Sequence, residues 1–159
     1  MVNVEELGWD VRTVGELDHM ILKAPHVKLR SAMEGRNGDV VYSIDLRLTL
    51  PNREYLPITL LHSFEHFLLA GFRKYMPENF VCVAPMGCQT GLYLVLLNEG
   101  NAGVICGVYE NILTDILSAT EVPYTHASEC GHFENHSLDQ AKDLARRLLD
   151  SKSVWRQVV

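Results

Sequence analysis

Apolar and polar side chains alternate along residues 40–50, the period of a strand that turns one face to the core. Asp45 and Arg47 share the polar face of this predicted strand, which lies either against solvent or in a site. A second strand is predicted over residues 19–29. The Asn-Gly pair at 37–38, between the two segments, is typical of a hairpin turn, so the two strands are expected to be antiparallel neighbours.

A long apolar segment with helical character follows this hairpin, with Pro57 in its first turn and Pro77 soon after its end. Short strands are predicted beyond it at 80–84 and 92–97, and a polar loop at 121–136. Apolar positions at helical spacing predict two more helices, one over 104–117 and one that begins with a capping-box pattern at 137–140. The sequence therefore predicts an α+β fold, a two-layer sandwich in which a largely antiparallel sheet packs against helices, as a single domain over residues 1–159.

Composition excludes several classes of protein. The net charge is −6 and there is no cluster of Lys or Arg, which argues against nucleic acid or an anionic membrane as partner. The longest apolar run, residues 92–97, is too short to span a bilayer, and the N-terminus lacks the pattern of a signal peptide. Four cysteines without an export signal are expected to be thiols, ligands or nucleophiles, so a cytoplasmic location is predicted.

The apolar helix carries the pattern His62-Ser63-Phe64-Glu65-His66. The two histidines stand one turn apart on one face, where both imidazoles can bind a divalent ion at about 2.0–2.1 Å. Glu65 lies beside them and can exchange protons with whatever occupies the remaining coordination position. Buried imidazoles and carboxylates are costly unless they are paired or metal-bound, which favours a metal site over a chance arrangement.

A third ligand must come from another part of the chain. Cys130 is the best candidate, because it is a soft thiolate in a loop and Gly131 allows the backbone a close approach. His126, His132 and His136 compete with it. Two histidines and one cysteine would leave a fourth position open to water or substrate, which is typical of a catalytic site.

Cys88 is the second residue with predicted chemistry. It lies in a turn between Gly87 and Gly91, where the lack of side chains lets a ligand come close. A nearby cation would lower the pKa of this thiol and make it a base or nucleophile. Without a metal, a cysteine in such a turn is more often inert.

Taken together, these motifs resemble the S-ribosylhomocysteine lyase (LuxS) family. The similarity runs in order from about residue 16 to the last helix. Its most specific part is the combination of the His-x-x-Glu-His helix with a Pro-Met-Gly-Cys turn. The segments that carry it are Leu17-Asp18-His19, Asp45-Leu46-Arg47, His62-Ser63-Phe64-Glu65-His66, Pro85-Met86-Gly87-Cys88-Gln89-Thr90-Gly91 and Glu129-Cys130-Gly131.

The resemblance implies a site and a reaction. Matched by position, the metal ligands are His62, His66 and Cys130, the acid/base pair is Glu65 and Cys88, and the substrate pocket includes His19 and Arg47. It also implies ferrous iron, which zinc or cobalt can replace, and a homodimer whose active sites lie at the interface. The implied reaction moves the carbonyl of S-ribosylhomocysteine along the ribose chain and then eliminates homocysteine, leaving a dihydroxy-pentanedione, the precursor of autoinducer-2.

The chain departs from the family pattern at two places that contact substrate in the family. Cys82 stands where Asp is usual, and Val14-Gly15 stand where Ser-Phe is usual, so a LuxS-like enzyme with an altered substrate is an alternative. A further alternative is an inverzincin-type zinc metallopeptidase, in which Glu121, Glu129 or Glu134 would be the third ligand. That interpretation gives Cys88 no role.

Overall fold

A computed structural model describes residues 2–159, and within that range the chain forms four strands and three α-helices. The strands form one antiparallel sheet in the order β1-β2-β4-β3. The predicted α+β class with an antiparallel sheet is therefore confirmed. The elements are β1 His26–Glu34, β2 Val40–Arg47, α1 Ile58–Tyr75, β3 Phe80–Pro85, β4 Gly91–Leu97, α2 Ala102–Ser118, α3 Leu138–Asp150 and a 3-10 turn at Lys152–Val154.

The first strand is the element that the sequence placed least well. It begins at His26 rather than at residue 19, because residues 18–22 form a turn in which Asp18 accepts a hydrogen bond from the backbone N–H of Met20. The hairpin between β1 and β2 is present, with Gly38 in the left-handed region at φ 89°. The second strand ends at Arg47, after which the chain turns toward the segment that precedes α1.

The apolar core lies between one face of the sheet and the helices. Alternate residues of β2 and β4, such as Ile44 and Leu94, meet Phe64 and Leu68 of α1 there, and all four are 0% exposed. Helices α1 and α2 approach so closely at Gly71 that a Cβ at that position would lie 2.4 Å from the side chain of Ile112. Between residues 59 and 72 no position of α1 is exposed, so its polar side chains are held inside the protein.

The opposite face of the sheet carries three charged side chains that are also buried. Lys28, Asp45 and Arg47 are 1–4% exposed, and Lys28 donates a hydrogen bond to the backbone carbonyl of Glu16 in the N-terminal segment. The open edge of β1 is covered by the C-terminal segment, since the N–H of Val27 donates to the carbonyl of Trp155 at 2.7 Å. Among the described residues, no helix has the length and apolar character that crossing a membrane requires.

Candidate metal centre and the cysteine turn

Helix α1 brings His62 and His66 together. It starts at Ile58, directly after Pro57, and its apolar residues pack on both the sheet and the other helices. The two imidazole rings stand at 88° to each other with their centroids 4.7 Å apart. This is the one-turn spacing that the sequence predicted.

Backbone carbonyls fix the tautomer of both rings. Nδ1 of His62 lies 3.0 Å from the carbonyl oxygen of Asn135, and Nδ1 of His66 lies 2.8 Å from that of Pro123. Because a carbonyl can only accept, these contacts favour the neutral tautomer with the proton on Nδ1, in which Nε2 keeps its lone pair. Imidazoles that bind metals in proteins are commonly oriented by such a hydrogen bond from the other ring nitrogen.

Cys130 lies beside these rings, as predicted. Its sulfur is 3.4 Å from Nε2 of His62, and the residue is only 9% exposed although it belongs to an irregular loop. The backbone N–H of His132 donates to the same sulfur at 3.4 Å and helps to fix its position. The residues expected as metal ligands are therefore neighbours in space.

A fourth group, His136, completes this arrangement and was underrated from the sequence. Its ring centroid is 4.1 Å from that of His62, and its Nε2 is 3.7 Å from the Cys130 sulfur. The donor atoms of His62, His66, Cys130 and His136, called the donor cluster below, all lie within 4.8 Å of one another. Burial and the neighbouring imidazoles lower the pKa of His136 to about 4, so its ring is neutral at pH 7.

The position of His136 depends on Ser63, which follows His62 on α1. The Ser63 hydroxyl donates to the carbonyl of Thr59 at 2.7 Å and accepts from the backbone N–H of Ser137 at 2.8 Å. Nδ1 of His136 lies 3.4 Å from the same oxygen. This contact between distant parts of the chain leaves no signal in the local sequence, apart from the capping residue Ser137 that follows His136.

The other candidates for a third ligand do not join the donor cluster. Within the described residues, the cluster contains no carboxylate, and Glu121, Glu129 and Glu134 are exposed. His126 and His132 are exposed as well. The ligand set required by the peptidase interpretation is therefore not assembled in this fold.

Cys88 lies in a tight turn between β3 and β4. The turn is closed by hydrogen bonds from Met86 N–H to the Gly91 carbonyl and from Gln89 N–H to the Met86 carbonyl, both 2.9 Å. Gly91 is needed for packing rather than for ligand access, because a Cβ there would lie 2.5 Å from the backbone oxygen of Leu46. Gly87, by contrast, has no atom within 4 Å of an added Cβ, so that side of the turn is open.

Arg47 connects this turn to the buried charges of the sheet. Its guanidinium donates to Asp45 Oδ2 at 2.8 Å and to the Thr90 hydroxyl at 2.6 Å, and lies 4.0 Å from the Cys88 sulfur. The Cys88 sulfur is 3.1 Å from the Thr90 hydroxyl. Partial burial raises the pKa of the Cys88 thiol, but the hydrogen bonds of Thr90 and the charge of Arg47 outweigh burial, and the pKa falls below its ordinary value.

Glu65 and His19 are the two remaining site residues expected from the sequence. Glu65 is half-buried on α1 between the ligand candidates. His19 is exposed in the N-terminal segment, where its Nδ1 lies 2.5 Å from the carbonyl of Leu17, and no described contact joins it to the donor cluster or to Arg47. Cys82, one of the departures noted above, is exposed on the edge strand β3.

Comparison with known proteins agrees with these observations. The sequence model of a family described as S-Ribosylhomocysteinase (LuxS) matches residues 14–159. Proteins named S-ribosylhomocysteine lyase are similar over 142 residues, 89% of this chain. They include one from Dichelobacter nodosus, 44% identical and covered over 92% of its length, and one from Halobacillus halophilus, 42% identical and covered over 93%. A third, from Helicobacter pylori, is 42% identical and covered over 91%.

Proposed function

Since the chain belongs to the S-ribosylhomocysteinase (LuxS) family, we propose that it is a metal-dependent carbon–sulfur lyase acting on S-ribosylhomocysteine. The products are homocysteine and a dihydroxy-pentanedione, the precursor of autoinducer-2, which gives the protein a role in quorum sensing and in the methionine cycle. The observation that carries this proposal is the convergence of three imidazoles and one sulfur, whose donor atoms all lie within 4.8 Å of one another.

We propose His62, His66 and Cys130 as the metal ligands. The donor set fits a divalent transition metal, because it combines imidazole nitrogens with a soft sulfur and because the tautomers of both helix histidines leave Nε2 available. We assign ferrous iron, with zinc or cobalt as substitutes. Bound there, such an ion supplies a Lewis acid that acidifies the carbon next to a sugar carbonyl.

Glu65 and Cys88 are proposed to carry the protons. Carbonyl migration and β-elimination each require removal of a proton next to a carbonyl, and a positioned base accelerates such a step by roughly 10²–10⁴-fold. Cys88 is suited to this role because its pKa is lowered and because the open side of its turn admits substrate. Arg47 and His19 are proposed to bind the substrate.

We further propose that the active protein is a cytoplasmic homodimer of single catalytic domains, spanning residues 1–159, with its active sites at the interface. Within one chain His19 has no described contact with the other site residues. This supports a dimer in which His19 of one subunit completes the active site of its partner. The net charge of −6 supports a small-molecule substrate rather than nucleic acid or a membrane as partner.

The test is to incubate anaerobically purified, metal-loaded protein with S-ribosylhomocysteine and to titrate free thiol over time. We expect one thiol per substrate consumed, loss of release after the metal is removed by a chelator, and recovery when ferrous iron is restored. Folded, metal-loaded protein that releases no thiol would refute the assignment of substrate. Cleavage of a peptide library under the same conditions would instead support the peptidase alternative.

A further inference from the structure

Arg47 is held in one orientation by a buried carboxylate. Its Nη2 donates to Asp45 Oδ2 at 2.8 Å, and both side chains are no more than 4% exposed. Lys28 Nζ lies 3.9 Å from the same oxygen, and His26 Nε2 lies 3.5 Å from it. Charged groups on two neighbouring strands thus fix the carboxylate, and the carboxylate in turn directs the guanidinium toward the Cys88 turn.

Thr90 stands between this guanidinium and the cysteine. Its hydroxyl oxygen is 2.6 Å from Arg47 Nη1 and 3.1 Å from the Cys88 sulfur, and the residue is 1% exposed. A guanidinium has donors and no acceptor, so the Thr90 oxygen must accept from Arg47. The single proton of the hydroxyl is therefore free to point at the sulfur.

We infer that Thr90 is a positioning residue: its hydroxyl accepts a hydrogen bond from Arg47 and donates a hydrogen bond to the Cys88 sulfur, which holds that sulfur as a thiolate. The inference rests on the proposed function, in which Cys88 moves a proton. Arg47 itself is 4.0 Å from the sulfur, at the limit of a sulfur hydrogen bond, so it acts on Cys88 directly through its charge, whereas the short hydrogen bond to the sulfur comes from Thr90. A donor to a thiolate stabilises the charged form relative to the thiol.

The hydroxyl of Thr90 can be removed without removing the contacts that Thr90 makes through its backbone. The backbone carbonyl of Thr90 accepts hydrogen bonds from the N–H groups of Leu48 and Thr49, at 2.9 and 3.2 Å, and these fix the turn against the end of β2. Thr90→Val keeps the shape of the side chain and loses the donor, whereas Thr90→Ser keeps the donor. The two substitutions therefore separate the proposed role from packing.

The experiment measures the pH dependence of Cys88 alkylation by iodoacetamide in the metal-loaded protein. Peptide mapping distinguishes Cys88 from the other three cysteines. A hydrogen bond to a charged group is worth enough to move a pKa by about one unit or more. We expect the alkylation midpoint to rise by at least about one pH unit in Thr90→Val, a roughly tenfold loss of thiolate below the pKa, and to stay near the original value in Thr90→Ser.

An alkylation profile for folded Thr90→Val that superimposes on that of the unsubstituted protein would overturn the inference, as would an equal shift in Thr90→Ser. If Thr90→Val does not fold, Thr90→Ala provides the same comparison, with circular dichroism as the check on structure. The measurement needs no turnover. The alkylation result therefore does not depend on the assignment of substrate. That assignment is refuted by a different result, namely that S-ribosylhomocysteine yields no thiol.

Discussion

Replacing Cys130 with alanine tests whether the sulfur holds the metal. In the structure this sulfur is 3.4 Å from Nε2 of His62 and is enclosed by the loop, so no other side chain of the cluster can take its place without moving. Cys130→Ala removes the only anionic ligand of the proposed set. We therefore expect metal affinity to fall sharply while the core, which does not include Cys130, stays folded.

The size of the effect follows from the free energy of metal binding per ligand. Structural zinc sites bind with about 10–16 kcal/mol, roughly 2.5–4 kcal/mol for each of four ligands. Since 1.4 kcal/mol is a factor of ten, losing one sulfur should weaken binding by roughly 10²–10³-fold. Water taking over the vacated position reduces the loss, so we expect a change at the lower end of this range, about 100-fold.

The assay is competition with a chromophoric chelator, supported by metal content after dialysis. Cys82→Ala is the matched control, because Cys82 is exposed on β3 and is not part of the donor cluster. We expect Cys82→Ala to bind metal as the unsubstituted protein does. Unchanged affinity in folded Cys130→Ala would show that the ligand set is wrong.

Three further substitutions address the rest of the site. His136→Ala should lower metal affinity by about tenfold, the lower end of the roughly 10–100-fold range for a neighbour of the ligands; a loss as large as that in Cys130→Ala would mean a closed, four-ligand site. Cys88→Ala should abolish thiol release from S-ribosylhomocysteine while metal content and circular dichroism stay unchanged, and full turnover would exclude its role in proton transfer. Asp45→Asn should lower the free energy of unfolding by about 3–5 kcal/mol in a urea titration, because it leaves buried cations unpaired; a loss below 1 kcal/mol would contradict this.

The stability of the unsubstituted protein should also depend on Asp45 in acid. Burial on its own raises the pKa of this carboxyl, but the nearby His26 and Arg47 outweigh burial and hold the pKa below its usual value. A carboxyl with a depressed pKa in the folded state contributes stability above its unfolded pKa, near 4, and loses it as the pH falls further. Urea titrations between about pH 5 and pH 2 should show this loss, and it should be smaller in Asp45→Asn.

Local patterns predicted the elements that carry the site, and failed where distant segments meet. The helix at residues 58–75 and the hairpin turn both follow from periodicity and from residues with strong local preferences. The first strand was misplaced because a side-chain hydrogen bond within residues 18–20 favours a turn over an extended chain. Burial of Asp45 could not be predicted. Polar and apolar residues alternate in the same way whether the polar face of a strand lies against solvent or is covered by another segment of the chain.

His136, which the sequence offered only as one competing ligand, and Thr90, which it did not single out, both depend on contacts with distant residues. His136 reaches the donor cluster only because Ser63 of α1 holds the start of α3, a contact between residues more than 70 positions apart. Thr90 receives its hydrogen bond from Arg47, 43 residues earlier. By contrast, His62, His66, Cys88 and Cys130 belong to short motifs whose chemistry is visible without tertiary structure.

The acceptors that orient His62 and His66 are both main-chain oxygens, at Asn135 and Pro123, in the irregular region between α2 and α3. Substituting a side chain there leaves its own carbonyl in place, so the ring tautomers tolerate sequence drift as long as the backbone follows the same path. Insertions or deletions in that region would disturb the orientation of the rings, because they displace the carbonyl oxygens themselves. For the orientation of these two rings, the length of the connection therefore matters more than which side chains stand at positions 123 and 135.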